Sequence, residues 1–421
     1  MWIALIEKIV IRGFKSLKNV SIQIKPITVL IGLNSSGKTS VLQALEVLKQ
    51  SATAQDSNLR LTGDLVNLGS FVDVVFQKEK TNEILFEVEG QREQSMQSPF
   101  GSETRYSYSL LCDQRDLKQQ RCTITSGQFR LEGEYKRGRS VKRITVPFSN
   151  GQLLFDPSSV LGRPFNYAGI SGPLEDFDTD SLTRQFLLVI QQDLHDFFMV
   201  PAIRGVSSPS YPLDTRPSED LMDVSNLYQQ AIKFSSTVVY NSPAIERKIN
   251  KWISRITGIA IRARTIPDKQ ASIEAVRKMD VNIVNEGFGS NQLVHLFAQI
   301  ATAPQHALIG IEEPEVHLHP KAQSELAKVL IEIAGEEKKN LILTTHSEHI
   351  LYRLLMEVAR GSLKPENLAI YHFRLTEEGI TEVELLEFDK EGRLDKGIPD
   401  FLESDLDEFK GFLAALKAGR E

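Results

Sequence analysis

Three short, mainly apolar runs lack the in-out alternation of a strand with one wet face: Ile27–Ile31, Ala307–Ile311 and Leu341–Leu343. Such runs predict central parallel strands covered on both sides, although a short apolar run alone is equally compatible with buried helix. From residue 77 to 160 the texture changes. Segments such as EILFEVEG, TRYSYSLLC, RCTITSGQFRLEGEY and RITVPFSNGQLLF alternate and are broken by Gly, Asn and Asp, which predicts an antiparallel meander. Helical spacing takes over from about Leu182 to Met199 and from about Glu219 to Ile256, with the Pro/Ser-rich loop VSSPSYPLDTRP between them. After about Leu368 the chain returns to short strands and a final helix, Leu402–Ala418.

The residues immediately after each apolar run decide between strand and helix. The first run leads into GLNSSGKTS, the second into EEPEVHLHP and the third into TTHSEH. Open α/β sheets gather their chemistry at the carboxyl ends of the strands, and three polar clusters after three buried runs match that rule. The expected fold is α/β: one nucleotide-binding sheet assembled from both ends of the sequence, interrupted by a β-rich part and a helical part.

Gly32-Leu33-Asn34-Ser35-Ser36-Gly37-Lys38-Thr39 fits the phosphate-loop pattern G-x-x-x-x-G-K-[ST] at every fixed position. Val41, Leu42, Leu45 and Leu48 come next at helical spacing. The glycines allow close wrapping of the backbone, whose N–H groups and helix N-terminus favour phosphate. Lys38 is expected to reach the β/γ-phosphates and Thr39 to hold Mg²⁺. Asn34, Ser35, Ser36, Gly37 and Ser40 complete the expected ATP-binding set on this loop.

Glu312 and Glu313 directly succeed the second run, where adjacent acids cost desolvation and repulsion unless a cation or substrate uses them. One is expected to bind Mg²⁺ and the other to orient or deprotonate the attacking water. His346, after the third run, is placed to meet the γ-phosphate. Five of the eight histidines fall between 306 and 349, so zinc held by His317 and His319 with His346 or His349 is an alternative. The other reading has His317 and His319 in a loop that Pro320 closes into a helix.

The order of phosphate loop, long interruption, GFGSNQ, apolar run plus EEPE, and TTHS resembles the ABC-type ATPases of the SMC, RecF and OLD (overcoming lysogenisation defect) group. The opening Ile11-Arg12-Gly13-Phe14-Lys15-Ser16-Leu17 is similar to that group's first strand and turn. The resemblance implies an ABC-type P-loop ATPase head with an antiparallel β subdomain and a helical insertion. It places Glu312 on the metal side, Glu313 as the catalytic carboxylate and His346 as the switch histidine. Gly287–Gln292 takes the signature position, with Gly289 and Ser290 offered to ATP bound by a second subunit. The sequence departs from transporter relatives in having Glu312 for Asp and Ser290-Asn291 for Ser-Gly, and its only Q-loop candidate is Gln77. The implied organisation is a split core at 1–76 and 275–375, a β subdomain at 77–180, a helical insertion at 181–274 and an acidic extension at 376–421.

Charge adds two candidate surfaces. Lys136, Arg137, Arg139, Lys142 and Arg143 cluster around a predicted hairpin tip, and Arg247, Lys248, Lys251 and Arg255 share a helix face; either is a phosphate-neutralising surface or an ordinary solvated one. From Glu377 to Glu408 thirteen acids face Lys390, Arg393 and Lys396, which suits a protein contact better than a nucleic-acid path. With 421 residues and net charge −6, the chain fits several globular domains rather than a dedicated nucleic-acid coat. It lacks any apolar run of about 18 residues, and its start mixes charges into the apolar stretch, so neither a membrane span nor a secretory signal is expected. Two cysteines, Cys112 and Cys122, suit a reduced, cytoplasmic setting. The functional expectation is a Mg²⁺-dependent ATPase that dimerises head to head and gates a DNA-linked process, antiviral defence above all, with a separate effector protein. The alternative is a nucleotide-dependent scaffold with incidental turnover. Asp405-x-Asp407-Glu408 is read as the acidic first turn of the last helix rather than a nuclease metal site.

Overall fold

The run Ile27–Ile31 lies in strand β3 (Ile27–Gly32), all six of whose residues are buried. Ile27, Val29 and Ile31 enter one core and Leu30 the other, so both faces are covered and alternation has no reason to appear. The same division holds for β15 (Leu308–Glu312) and β16 (Asn340–Thr344), where Ile309, Ile311, Leu341 and Leu343 face the first core and Leu308 and Ile342 the second. The computed structural model describes residues 6–397 except 53–58, 64, 94–102, 115, 127–128, 137–138, 149–150, 155–193, 195 and 213–241.

The six-stranded sheet runs β10 (Phe197–Val200), β15, β16, β3, β17 (Leu368–Leu375), β18 (Thr381–Leu385). Its first five strands are parallel and β18 is antiparallel to β17. Helix α1 (Lys38–Ala52) packs with β3 on the second core. That core is closed by an eight-stranded antiparallel sheet ordered β2 (Leu17–Gln23), β1 (Ile6–Phe14), β4 (Ile84–Glu93), β5 (Glu103–Asp113), β6 (Asp116–Ser126), β7 (Phe129–Lys136), β8 (Arg139–Phe148) and β9 (Gly151–Leu154). A short helix, α2 (Phe71–Val74), precedes β4. The sheet therefore starts at residue 6, ahead of the 77–180 span expected of it. A register shift between Ile6 and Lys8 breaks the alternation of β1 and hides it from a period-two reading.

On the other face lie α3 (Pro243–Thr257), α4 (Phe288–Thr302), α5 (Pro320–Glu336) and α6 (Glu348–Ala359). A small sheet forms from β11 (Tyr211–Pro212), which precedes α3, with β12 (Ala260–Ile266), β13 (Gln270–Val276) and β14 (Val281–Asn282) between α3 and α4. The stretch expected to be helical through Met199 ends instead in a strand. Phe197 to Val200 are all buried and extend the parallel sheet beside β15. Four consecutive apolar residues fit either period, and only the sheet edge decides between them. The helix expected at Leu402–Ala418 lies outside the described residues.

Candidate functional site

The loop from Gly32 to Lys38 joins β3 to α1. Gly32 and Gly37 have φ of +139° and +102°, where an L side chain is strained. A Cβ at Gly32 would sit 2.1 Å from Phe373 O, and one at Gly37 would sit 2.5 Å from Thr381 Oγ1. Both glycines are thus dictated by shape as well as by pattern. Lys38 Nζ curls into the loop, donating to Gly32 O (2.8 Å) and Leu33 O (2.7 Å). Burial lowers its pKa to about 8, against the opposing pull of Glu313 and Glu315. Asn34, Ser35 and Thr39 are exposed, while Ser36 and Ser40 are buried. A glycine-only cradle, a buried ammonium and an exposed hydroxyl at a helix start form a donor set that fits a phosphate chain and an oxygen-liganded cation.

Strand register brings the other two clusters to this loop. Glu312 pairs with Thr344, and Thr344 with Leu30, so the carboxyl ends of β15, β16 and β3 are level. Glu313 has φ of +42° and donates its N–H to Thr344 O (2.9 Å). Its Oε1 lies 3.8 Å from His346 Nε2. Burial, then the positive charge of Lys38, lowers the His346 pKa, with Glu313 opposing. At neutral pH the imidazole is therefore predominantly neutral. Glu312 Oε2 accepts from Ala202 N (3.3 Å). Glu46, on α1, is buried and its pKa is raised to about 8 by desolvation and then by Glu312, with Lys15 and Lys49 opposing.

The expected signature residues belong to a different wall. Gly287 caps α4, and Gly287, Gly289 and Ser290 line a cavity of about 590 Å³ with Arg255, His317, His319 and Lys321. A Cβ at Gly289 would lie 2.6 Å from His317 O. Phe288 is 52% exposed and meets the His317 ring edge-on at 4.8 Å. Asn291 is buried and bonds Val206, so it is turned away from solvent. Gln292 is fully buried, and neither amide atom has a hydrogen-bond partner among the described residues. His319 Nδ1 accepts from Lys321 N (3.3 Å), capping α5, which favours the closing-loop role of this histidine over the zinc alternative.

The family described as "AAA domain, putative AbiEii toxin, Type IV TA system" matches residues 27–351. The chain belongs to this family. The match spans the phosphate loop, both carboxylates and His346, within the mixed α/β fold described above. A curated relative, the OLD nuclease of Thermus scotoductus, is 20% identical over 362 residues, 82% of this chain. The aligned part is 59% of that relative's length. Among solved structures, an SMC head bound to the C-terminal winged-helix domain of ScpA is 16% identical, covering 91% of this chain and 98% of its own, with a TM-score of 0.49. The SMC head of Pyrococcus furiosus with an extended coiled coil is 13% identical, covering 98% and 99%, with a TM-score of 0.48.

Three side chains of this AAA-family site escape a reading of the sequence. Glu315, the last acid of EEPE, accepts from Thr345 Oγ1 (2.6 Å) and His346 N (2.8 Å), tying the second cluster to the third. Burial raises its pKa. Thr381, on β18, donates to Ser36 O (2.9 Å) and lies 2.7 Å from Ser16 Oγ, bracing the loop from behind. Arg204 is buried and donates to the carbonyls of Glu312 (2.8 Å) and Glu313 (3.0 Å). Burial brings its pKa down to about 10, so it stays charged near neutrality. Glu315 has a signal in its motif; Thr381 and Arg204 lie far along the chain from the loops they hold.

Gln77, the Q-loop candidate, is exposed with φ of +56° just after α2. Most of the basic face of α3 is engaged in ion pairs with α5. Lys248 pairs with Glu337 at 2.7 Å, and Lys251 and Arg255 both pair with Glu332, so this stripe stitches α3 to α5. Three of its four charges are paired across to α5 while Arg247 stays exposed, and a period-based reading sees only their own helix. Lys136 and Arg139 close the β7–β8 hairpin at its tip in register; Arg137 lies outside the described residues.

Proposed function

We propose that this chain binds and hydrolyses ATP with Mg²⁺, as a head-to-head homodimer that gates a DNA-linked process, antiviral defence in particular, through a separate effector protein. The observation that carries the catalytic part is the level ending of β3, β15 and β16, which gathers Lys38, Glu313 and His346 around one loop. Asn34, Ser35, Ser36, Gly37, Lys38, Thr39 and Ser40 hold the phosphate chain through backbone N–H groups and hydroxyls. Thr39 and Glu312 would hold Mg²⁺, which would supply charge neutralisation and Lewis acidity at the phosphates. Lys38 stabilises charge on the transferring phosphoryl group. Glu313 orients the attacking water and accepts its proton, with His346, neutral and 3.8 Å away, able to donate to the γ-phosphate or to accept from the water.

Support for the dimer is the exposure of Phe288 and Leu33 and the separate wall on which Gly289 and Ser290 lie. The nuclease named for the Thermus relative belongs to a protein of which this chain spans 59%. Nucleic acid, where bound, is assigned to the Lys136–Arg143 hairpin in this reading. The deciding experiment is steady-state phosphate release with Mg-ATP. Glu313→Gln should lower turnover by at least about a hundredfold while leaving nucleotide affinity within a few-fold. Equal turnover in wild type and variant would remove Glu313 from the base position.

A further inference from the structure

The segment just after β10 touches both walls of the site. Arg204 Nη1 donates to Glu312 O (2.8 Å) and to Pro201 O (2.8 Å), and Nη2 to Glu313 O (3.0 Å). Ala202 N donates to Glu312 Oε2 (3.3 Å). One turn later the same segment is gripped by α4. Asn291 Nδ2 donates to Val206 O (2.9 Å) and Asn291 Oδ1 accepts from Val206 N (2.5 Å), a side chain pairing with backbone as a strand would. Between the two grips, Gly205 has φ of +136°, and a Cβ there would lie 2.8 Å from Asn291 Oδ1. The outward side of this bridge is apolar, with Ile203 73% and Phe288 52% exposed.

We propose that Pro201–Ser207 is a mechanical link from the signature helix to the catalytic carboxylate, with Arg204 a positioning residue that fixes the backbone of Glu312 and Glu313. The proposal rests on the ATPase reading for its consequence in turnover, but the link itself is a property of the protein alone. Glu313 holds a left-handed conformation, uncommon for a residue with a side chain, and needs outside fixing. A planar guanidinium with donors on two fixed arms can hold two successive carbonyls at once; an ammonium has no such plane. A push on Phe288 or Ile203 by a docking surface moves Asn291, then Val206, then the Arg204 fork. The strand-end carboxylates move with it.

Two arms test this. Hydrogen exchange on the full chain without nucleotide should show Asn291→Ala speeding exchange both in 201–207 and, by at least about threefold, in 312–318, with 27–40 unchanged. Acceleration confined to 201–207, or spread evenly over all peptides, overturns the link. In the second arm Arg204→Lys should lower kcat by at least about thirtyfold at a KM within about threefold of wild type. Loss in KM alone, or wild-type kcat, overturns the positioning role. A wild-type protein with no turnover sinks the ATPase reading instead, and the exchange arm still decides the link, including where Arg204→Lys fails to fold.

Discussion

Lys38 shows how a single side chain carries both an energetic cost and a usable signal. Its ammonium is buried among carbonyl oxygens, and its pKa of about 8 lies well below the ordinary lysine value of 10.5. The unfolded chain therefore holds more protons than the folded one between those values, so this group makes ligand-free stability rise with pH across that window. A triphosphate beside the ammonium restores the proton. Nucleotide binding at about pH 8.5 should take up more than roughly half a proton, and near pH 7 almost none. Calorimetry in two buffers of different ionisation heat reads this directly; no uptake at the higher pH would mean that phosphate does not approach Lys38. The motif makes this residue legible, because the loop pattern is local. Arg204 and Thr381 are illegible for the opposite reason: each acts on backbone more than a hundred residues away, and no spacing rule links them to it.

At the scale of elements, the three buried strands and α1 can be read because burial on both faces and an apolar helical stripe leave local traces. Strand β10 cannot, since FFMV ends a helical pattern and only the neighbour β15 gives it a partner. Helix α4 is the instructive intermediate. Its apolar stripe is visible in sequence, and Leu293, Val294, Phe297 and Ile300 are indeed fully buried. The polar residues at its start suggest a face turned to ligand, yet Asn291 and Gln292 point inward. An unpartnered buried amide opposes folding, so Gln292→Leu should raise stability by about 1–2 kcal/mol in a urea melt. A loss of stability instead would reveal a partner such as a buried water. The α3–α5 ion pairs hold two elements together at exposed or half-exposed positions, where each pair contributes only about 0–1 kcal/mol.

For the molecule as a whole, the sheet gathers residues from both ends of the chain, as the order of motifs implies, and the antiparallel sheet closes over α1 from residue 6 onward. Ser290 stands on a wall that lines its own cavity with Arg255, His317 and Lys321, and the dimer reading makes that wall half of a neighbour's site. Ser290→Arg should leave ATP binding by the isolated chain within a few-fold, abolish ATP-dependent dimerisation and lower turnover by at least about a hundredfold. Light scattering with and without nucleotide, beside phosphate release, checks both; full turnover in the variant would leave each subunit self-sufficient. No helix among the described residues is long and apolar enough to cross a membrane.

The place of β3 in its sheet also governs how the protein is made. Its two sheet neighbours are β16, beginning at Asn340, and β17, beginning at Leu368. The strand that carries the phosphate loop leaves the ribosome roughly three hundred residues before both flanks, an interval of tens of seconds at about 5–20 residues per second. During that interval its apolar residues have no parallel partner, and the brace from Thr381 arrives later still. The frame around the loop is thus complete only after β17 and β18 have been made. A chain released before β17 would carry an intact loop motif without the frame that shapes it.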